Sequence, residues 1–353
     1  MPLRVIHSPH HNRHVKMGRT RPAKPASEHL RFRNYLRGAA LPTPPATKDW
    51  SSAGQPALSN IYDNDTLGDC VIAGGYHVDA VWTGNAGQLF TATDQQIIAD
   101  YSAIGGYVPG DPSTDNGCDE QTALNYWTST GLASGDKLAG WLAVDATDQT
   151  LLMQALYLFE NVYFGVELPD AWINPMPQAS GFTWDVAGSP DQQNGHCVVG
   201  VGYNAAGITI DTWGLLGTLT WAAAAKYMVP AAGGDAYILV SQAQLIKAQA
   251  KAPTGFDWPT LIADFDAMGG NVPAPVSPTP TPVNPPAPTP VPTPVPPTPT
   301  PVPPVSSGII TIDTVNKVVT LPAGITAVHQ SGPQVEYYPH RKQVGIPVGW
   351  SSQ

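Results

Sequence analysis

The chain has 353 residues, enough for one sizeable core with appendages, and its net charge of -10 conceals an asymmetry: residues 1–40 hold nine Lys or Arg against the single Glu28. Three cysteines, Cys70, Cys118 and Cys197, fit neither a disulfide framework nor a zinc spacing, so at least one thiol stays unpaired and no metal or other cofactor is expected. No apolar run reaches the ~18 residues of a membrane helix, and the N-terminus lacks a signal peptide's apolar core. The expectation is a chain made in the cytoplasm with no membrane partner.

Residues 1–41 form a basic, His-rich arm, HSPHHNRHVKMGRTRPAK, ending in SEHLRFRNYLRG, which reads as a short helix with Ser27 as N-cap and Gly38 as its stop. Cations without an aromatic platform attract without reading bases, so an acidic surface or a nucleic acid is the partner such an arm suits. From Pro42 to about Ala250 the composition is globular. Cys70 to Trp82 reads as a helix, Thr93 and Gln96 make a capping box ahead of DQQIIADY, and EQTALNYWTSTG and DQTLLMQAL follow as further helices, the first stopped by Gly131. VYFGVEL, HCVVGVGY, GITIDTWG and DAYILV read as strands. Helices first and strands afterwards imply an α+β domain of two lobes.

Residues 251–271 read as a connecting segment. Residues 272–304 are a Pro/Thr-rich tract expected to run as polyproline II, a stiff spacer of ~3.1 Å per residue. Residues 305–353 read as a small C-terminal β module with a hairpin about Val315-Asn316; a cysteine-free piece of this size should dock on an unidentified partner or oligomerise.

The chemistry centres on NDTLGDCVIAGGYHV. Cys70 stands where a helix begins, and free N–H groups with the positive dipole end favour a thiolate there. Gly68 leaves room for a close substrate and Asp69 could cap the helix, although its charge opposes the thiolate. Of nine histidines, five lie in the arm (His7, His10, His11, His14, His29) and two in the tail (His329, His340). His77, two turns after Cys70, is ~10 Å along the axis and too far for proton transfer, which leaves His196 as the base. Asp211 is the natural orienting group for that imidazole. A tight turn at Tyr203-Asn204 would set Asp211 opposite His196, whereas a turn at Ala205-Ala206 would shift the pair by roughly 13 Å along the strand.

These residues resemble the papain-like cysteine peptidases from about Pro42 to Val240. KDWSSAGQPALSNIYDNDTLGDC is similar to the family's mature start, TATDQQIIADY to its second helix, NGCDEQTALNYWTSTGLASG to its Gly-Cys-Asn-Gly-Gly segment, GHCVVGVGY to its histidine strand and IDTWGLLG to its Asn-Ser-Trp-Gly signature. The resemblance implies Cys70 as nucleophile, His196 as base and acid, Asp211 in place of the usual Asn, Asn64 as oxyanion donor with the Cys70 amide, and Trp213 as a shield over the His-Asp hydrogen bond. It puts Gly68, Asp69, Glu120, Gln121 and Gly195 along the substrate cleft. Val71 replaces the family's Trp after the nucleophile, and Glu120-Gln121 replace the Gly-Gly pair, which should narrow or charge the cleft. Leu67 stands where the family has the disulfide partner of Cys118. The arm is shorter than the family's inhibitory pro-region and lacks its motif, so zymogen control is not expected. The function implied is a thiol peptidase acting on peptides or proteins. The competing readings are an inactive papain-like scaffold within an assembly such as a phage particle or cell surface, and a cell-wall amidase, whose shorter cysteine-to-histidine separation fits less well.

Overall fold

The computed structural model describes residues 3–38, 41–273, 311–313, 318–321, 326–330, 336–338, 343–347 and 351–352. The chain divides into two compact units, Met1–Ser277 and Pro278–Gln353.

The first unit opens with a hairpin, β1 (Val5–Ser8) and β2 (Arg13–Lys16), and continues through β3 (Lys48–Asp49) and the short α1 (Gln55–Leu58) to the long α2 (Cys70–Asn85). Then come α3 (Asp94–Gly105), α4 (Glu120–Ser129), β4 (Leu138–Ala143), α5 (Gln149–Phe159), β5 (Val162–Glu167), α6 (Asp170–Ile173) and β6 (Phe182–Trp184). The rest is β7 (Gly195–Tyr203), β8 (Gly207–Thr212), β9 (Leu215–Thr220), α7 (Trp221–Tyr227), β10 (Asp235–Ser241), α8 (Gln242–Lys251) and α9 (Trp258–Ala267). Seven strands form one sheet in the order β4-β10-β5-β7-β8-β9-β6, with β3 added beside β7.

Helix starts follow their caps. Thr93 and Gln96 close the expected capping box on α3, and Asp119, Asp148, Thr220, Ser241 and Asp257 each accept from a backbone N–H in the first turn of the helix that follows. β4 escaped the sequence reading because LAGWLA is a continuous apolar run, buried throughout, with no alternation to mark it as a strand.

The sheet separates two cores. Cys197, Val199 and Val201 of β7 face the core that holds α2, α3 and α4, whereas Val198 packs into the other with Leu152, Phe159, Phe164 and Trp213. Helix α2 is buried on every side from Cys70 to Trp82. Its close seat on the sheet needs Gly74, where a Cβ would lie 3.1 Å from Tyr163 and 3.3 Å from Cys197 Sγ.

Two expectations about the ends of this unit change. The segment 26–38 forms two 3-10 turns, Ala26–Glu28 and Phe32–Tyr35, in place of one helix, because Phe32 and Tyr35 are drawn into the core. The segment 251–271, expected to be a connector, carries α9, whose Trp258, Leu261 and Phe265 are buried in the main core.

In the second unit, β11 (Thr311–Asp313), β12 (Val318–Thr320) and β16 (Ser351–Ser352) form one small sheet, and β13 (Thr326–Gln330), β14 (Glu336–Tyr338) and β15 (Gln343–Pro347) another. Thr311 pairs with Thr320 and Asp313 with Val318, the register of a hairpin about Val315-Asn316, although those two residues lie outside the described ones. So does the Pro/Thr-rich tract from 274 onward.

Candidate active site

Cys70 is the first residue of α2 and His196 the second of β7. Both line one cavity of about 20 Å3, space for a single water, together with Asn64, His77, Asp211, Thr212 and Trp213. The expected nucleophile and base are therefore brought together from the helical side and the sheet.

Asp211 stands elsewhere in this arrangement. The β7–β8 hairpin turns at Ala205-Ala206, where Asn204 N donates to Gly207 O at 2.9 Å and Asn204 Oδ1 accepts from Ala206 N at 2.8 Å. The register then slips between Gly200 and Gly202, so Asp211 pairs with Val199 and not with His196. One extra residue in a strand exchanges its two faces, which turns Asp211 toward α2. There its Oδ2 lies 2.8 Å from Nδ1 of His77, whose Nε2 lies 3.1 Å from Asn60 O. Burial raises the Asp211 carboxyl above its ordinary range, against the pull of His77.

The same slip delivers Thr212 to the imidazole. His196 Nε2 and Thr212 Oγ1 are 2.7 Å apart, and His196 Nδ1 is buried without a partner. Trp213 stacks on the ring with centroids 4.2 Å apart and planes 17° apart. It gets there through the two-residue turn Trp213-Gly214 between Thr212 and Leu215, with φ of 49° and 71°. Both central residues are left-handed, the geometry of a type I′ hairpin turn. A tryptophan in that region is strained, and the stack on His196 offsets the strain.

The basic arm runs through the cleft, contrary to the expectation from its length. Lys16 N donates to Asn64 O at 2.9 Å, Cys118 N to Gly18 O at 3.0 Å, Thr20 N to Cys118 O at 3.0 Å and Arg19 N to Gly195 O at 3.1 Å. The segment 16–20 thus bonds to the helical side at Asn64 and Cys118 and to the sheet at Gly195. Gly18 crosses directly over Gly68, where a Cβ would fall 1.9 Å from the Gly68 carbonyl oxygen. Asn64 Nδ2, the expected oxyanion donor, is spent on Lys16 O at 3.2 Å and Leu67 O at 3.1 Å.

The thiol responds to this enclosure. Burial pushes Cys70 up to about 12, opposed by the backbone N–H groups of Cys197 and Gly18, which approach the sulfur. Burial also lowers His196 to about 3. Sulfur and imidazole are both neutral here, and what the arm offers the sulfur is an N–H, which cannot be attacked. Asp69 makes no side-chain cap on α2; both its oxygens are buried and unpartnered, and burial holds it protonated well above the usual range. Gly68 N donates to Asp115 Oδ1 at 3.0 Å.

The arm's cations meet carboxylates of the body. Arg4 reaches Asp170 at 2.9 Å, Arg13 reaches Asp65 at 2.7 Å, Lys16 pairs with Asp115, Arg21 with Glu167 and Arg19 with both Glu120 and Asp235. Acidic partners for these five cations lie within the same chain. Gln121 Nε2 donates to Lys24 O and Tyr237 Oη, each at 2.8 Å. Thr212, His77 and Arg19 were not singled out from sequence as parts of the site. No local signal marks the first, because its position depends on the strand slip.

No protein-family model matches the sequence, and no curated protein matches it. Among solved structures, the cysteine protease xylellain from Xylella fastidiosa is similar at a TM-score of 0.50 and 14% identity, covering 67% of this chain and 98% of that one. The digestive procathepsin L2 proteinase from Tenebrio molitor larval midgut is similar at 0.45 and 15%, covering 63% and 77%. A Carica candamarcensis cysteine protease is similar at 0.40 and 18%, covering 56% and 99%. With the helical side, the mostly antiparallel sheet and the cavity between them, the first likeness, over 67% of this chain, shows a papain-like two-lobed α+β fold.

Proposed function

We propose that the protein is a latent thiol peptidase whose cleft is closed by its own N-terminal arm. The observation that carries this is the meeting of Cys70 and His196 in one cavity, under a segment bonded to both sides of the cleft. What fills the cleft is residues 16–20 of the arm, and their departure would free Asn64 Nδ2 from Lys16 O and return the Cys70 sulfur to solvent.

With the arm displaced, unpartnered His196 Nδ1 takes the thiol proton, while Nε2 carries hydrogen and donates to Thr212 Oγ1. The thiolate attacks an amide carbonyl, and Asn64 Nδ2 with the Cys70 amide holds the oxyanion. The amine leaves with the imidazolium proton, and water releases the acyl group from sulfur. His196 and Thr212 thereby replace the expected His-Asp pair.

One observation favours an inactive scaffold: the buried carboxylate faces His77 and not the candidate base. Iodoacetamide labelling separates the two readings. In the intact chain Cys70 should label slowly. After nicking at a protease site placed in the exposed stretch 23–25 it should label much faster than Cys118 and Cys197, and His196→Ala should remove that advantage. Equal slow labelling of all three cysteines in the nicked chain would leave only the scaffold.

A further inference from the structure

The cleft holds a side chain as well as a backbone segment. Arg19 enters a chamber in which its Nε donates to both oxygens of Glu120, at 3.0 and 3.1 Å, its Nη1 donates to Gly233 O at 2.6 Å, and its Nη2 donates to Asp235. Glu120 is 0% exposed and Asp235 5%. Taking two carboxylates out of water is costly unless a cation meets them with good geometry. Here two acids face one guanidinium, and Asp235 Oδ1 is buried and unpartnered, so the chamber's accepting capacity exceeds what Arg19 uses.

The chamber also has the shape of its occupant. Gly165 of β5 forms one wall, where a Cβ would stand 2.3 Å from Arg19 Nε and 2.2 Å from Glu120 Oε1. Its place beside the sulfur is set by chain geometry: Arg19 directly follows Gly18, which crosses over Gly68, two residues before Cys70. A peptide lying in the same groove would present a side chain there. The acidic lining continues outward, since buried Glu167 takes Arg21 at the edge of a cavity of about 830 Å3 that Asp191 and Gly195 also line.

We infer that the Glu120–Asp235 chamber, once vacated by Arg19, is the subsite that selects substrate, and that it takes the arginine or lysine side chain of a peptide, arginine in preference. This deepens the peptidase reading and rests on it. The guanidinium fork can satisfy Glu120, Asp235 and the Gly233 carbonyl at once, whereas an ammonium is a point donor. A neutral side chain would leave both acids buried without a counter-charge.

The test uses the full chain, nicked within 23–25, with Gly18→Val to loosen the arm segment and Cys70→Ser to stop chemistry. Fluorescence anisotropy follows binding of labelled extended peptides that differ at one scanned position, which is arginine, lysine, leucine or citrulline, the neutral isostere of arginine. At one position arginine should bind at least tenfold tighter than citrulline. Glu120→Gln with Asp235→Asn should bring those two within twofold of each other. Equal binding of the arginine and citrulline peptides at every position, or binding of none, overturns the inference. That comparison is made on the unsubstituted chamber, so it decides even where the double variant does not fold. The peptidase reading fails separately: arginine selectivity in a chain whose nicked Cys70 form neither hydrolyses the peptide nor labels faster leaves a peptide-binding chamber without catalysis.

Discussion

The partner of His196, the proposed base, differs from what residue identity alone suggests. An imidazole is a general base only if one nitrogen is free and the other held, and His196 meets both conditions through a hydroxyl, not a carboxylate. In the nicked chain, Thr212→Val should slow Cys70 alkylation roughly tenfold, the cost of about one orienting hydrogen bond. Asp211→Asn should slow it far less, because Asp211 touches His77; a larger effect from Asp211→Asn would restore the expected triad. A second buried acid predicts pH dependence. Burial, reinforced by neighbouring Asp136, raises Asp79 to about 8. The folded state then holds its proton more tightly than the unfolded state, so the contribution is full below about pH 4 and is lost as pH rises through about 8. Asp79→Asn should raise Tm by several degrees at pH 8.5 and by little at pH 5, as read by thermal melts. His196 works in the opposite sense: its folded value near 3 lies below the unfolded one, so stability is lost as pH falls from about 6.5.

Two elements decide access to the sulfur. The β7–β8 hairpin, with its late turn and slipped register, assigns Asp211 to one face of the sheet and Thr212 to the other. The arm decides whether anything reaches Cys70 at all. Its segment 16–20 is held by backbone bonds to Asn64, Cys118 and Gly195, and by one close crossing at Gly18 over Gly68. Any side chain at residue 18 collides with backbone, which cannot yield as a flexible side chain can. Gly18→Val in the full chain should therefore expel the segment and speed Cys70 alkylation at least tenfold without nicking, while Cys118 and Cys197 stay slow. Unchanged Cys70 labelling in a folded Gly18→Val protein would mean that the segment does not control access.

Taken as a whole, the first unit is held by two cores on opposite faces of one sheet, and both ends of the unit contribute. Val15 and Met17 of the arm and Phe265 of α9 are buried in the same core. Phe265 packs on β4 at Gly140, where a Cβ would stand 2.2 Å from its ring. Phe265→Ala should cost about 3–5 kcal/mol and lower Tm of the first unit markedly. A connector segment, by contrast, would tolerate the change.

The sequence by itself determined what local chemistry determines. The α+β order, the capping box of α3, the helix α5, the strands β5, β7, β8 and β10, and the candidacy of Cys70 and His196 could be read because each depends on residues near in the chain. The tertiary structure decided the rest. Whether Asp211 or Thr212 meets His196 depends on a single inserted residue in a strand pair, which no composition signals. Where Arg13, Lys16, Arg19 and Arg21 dock depends on where the fold places Asp65, Asp115, Glu120, Glu167 and Asp235, five acids scattered along the chain that become neighbours of the arm only when both cores have formed.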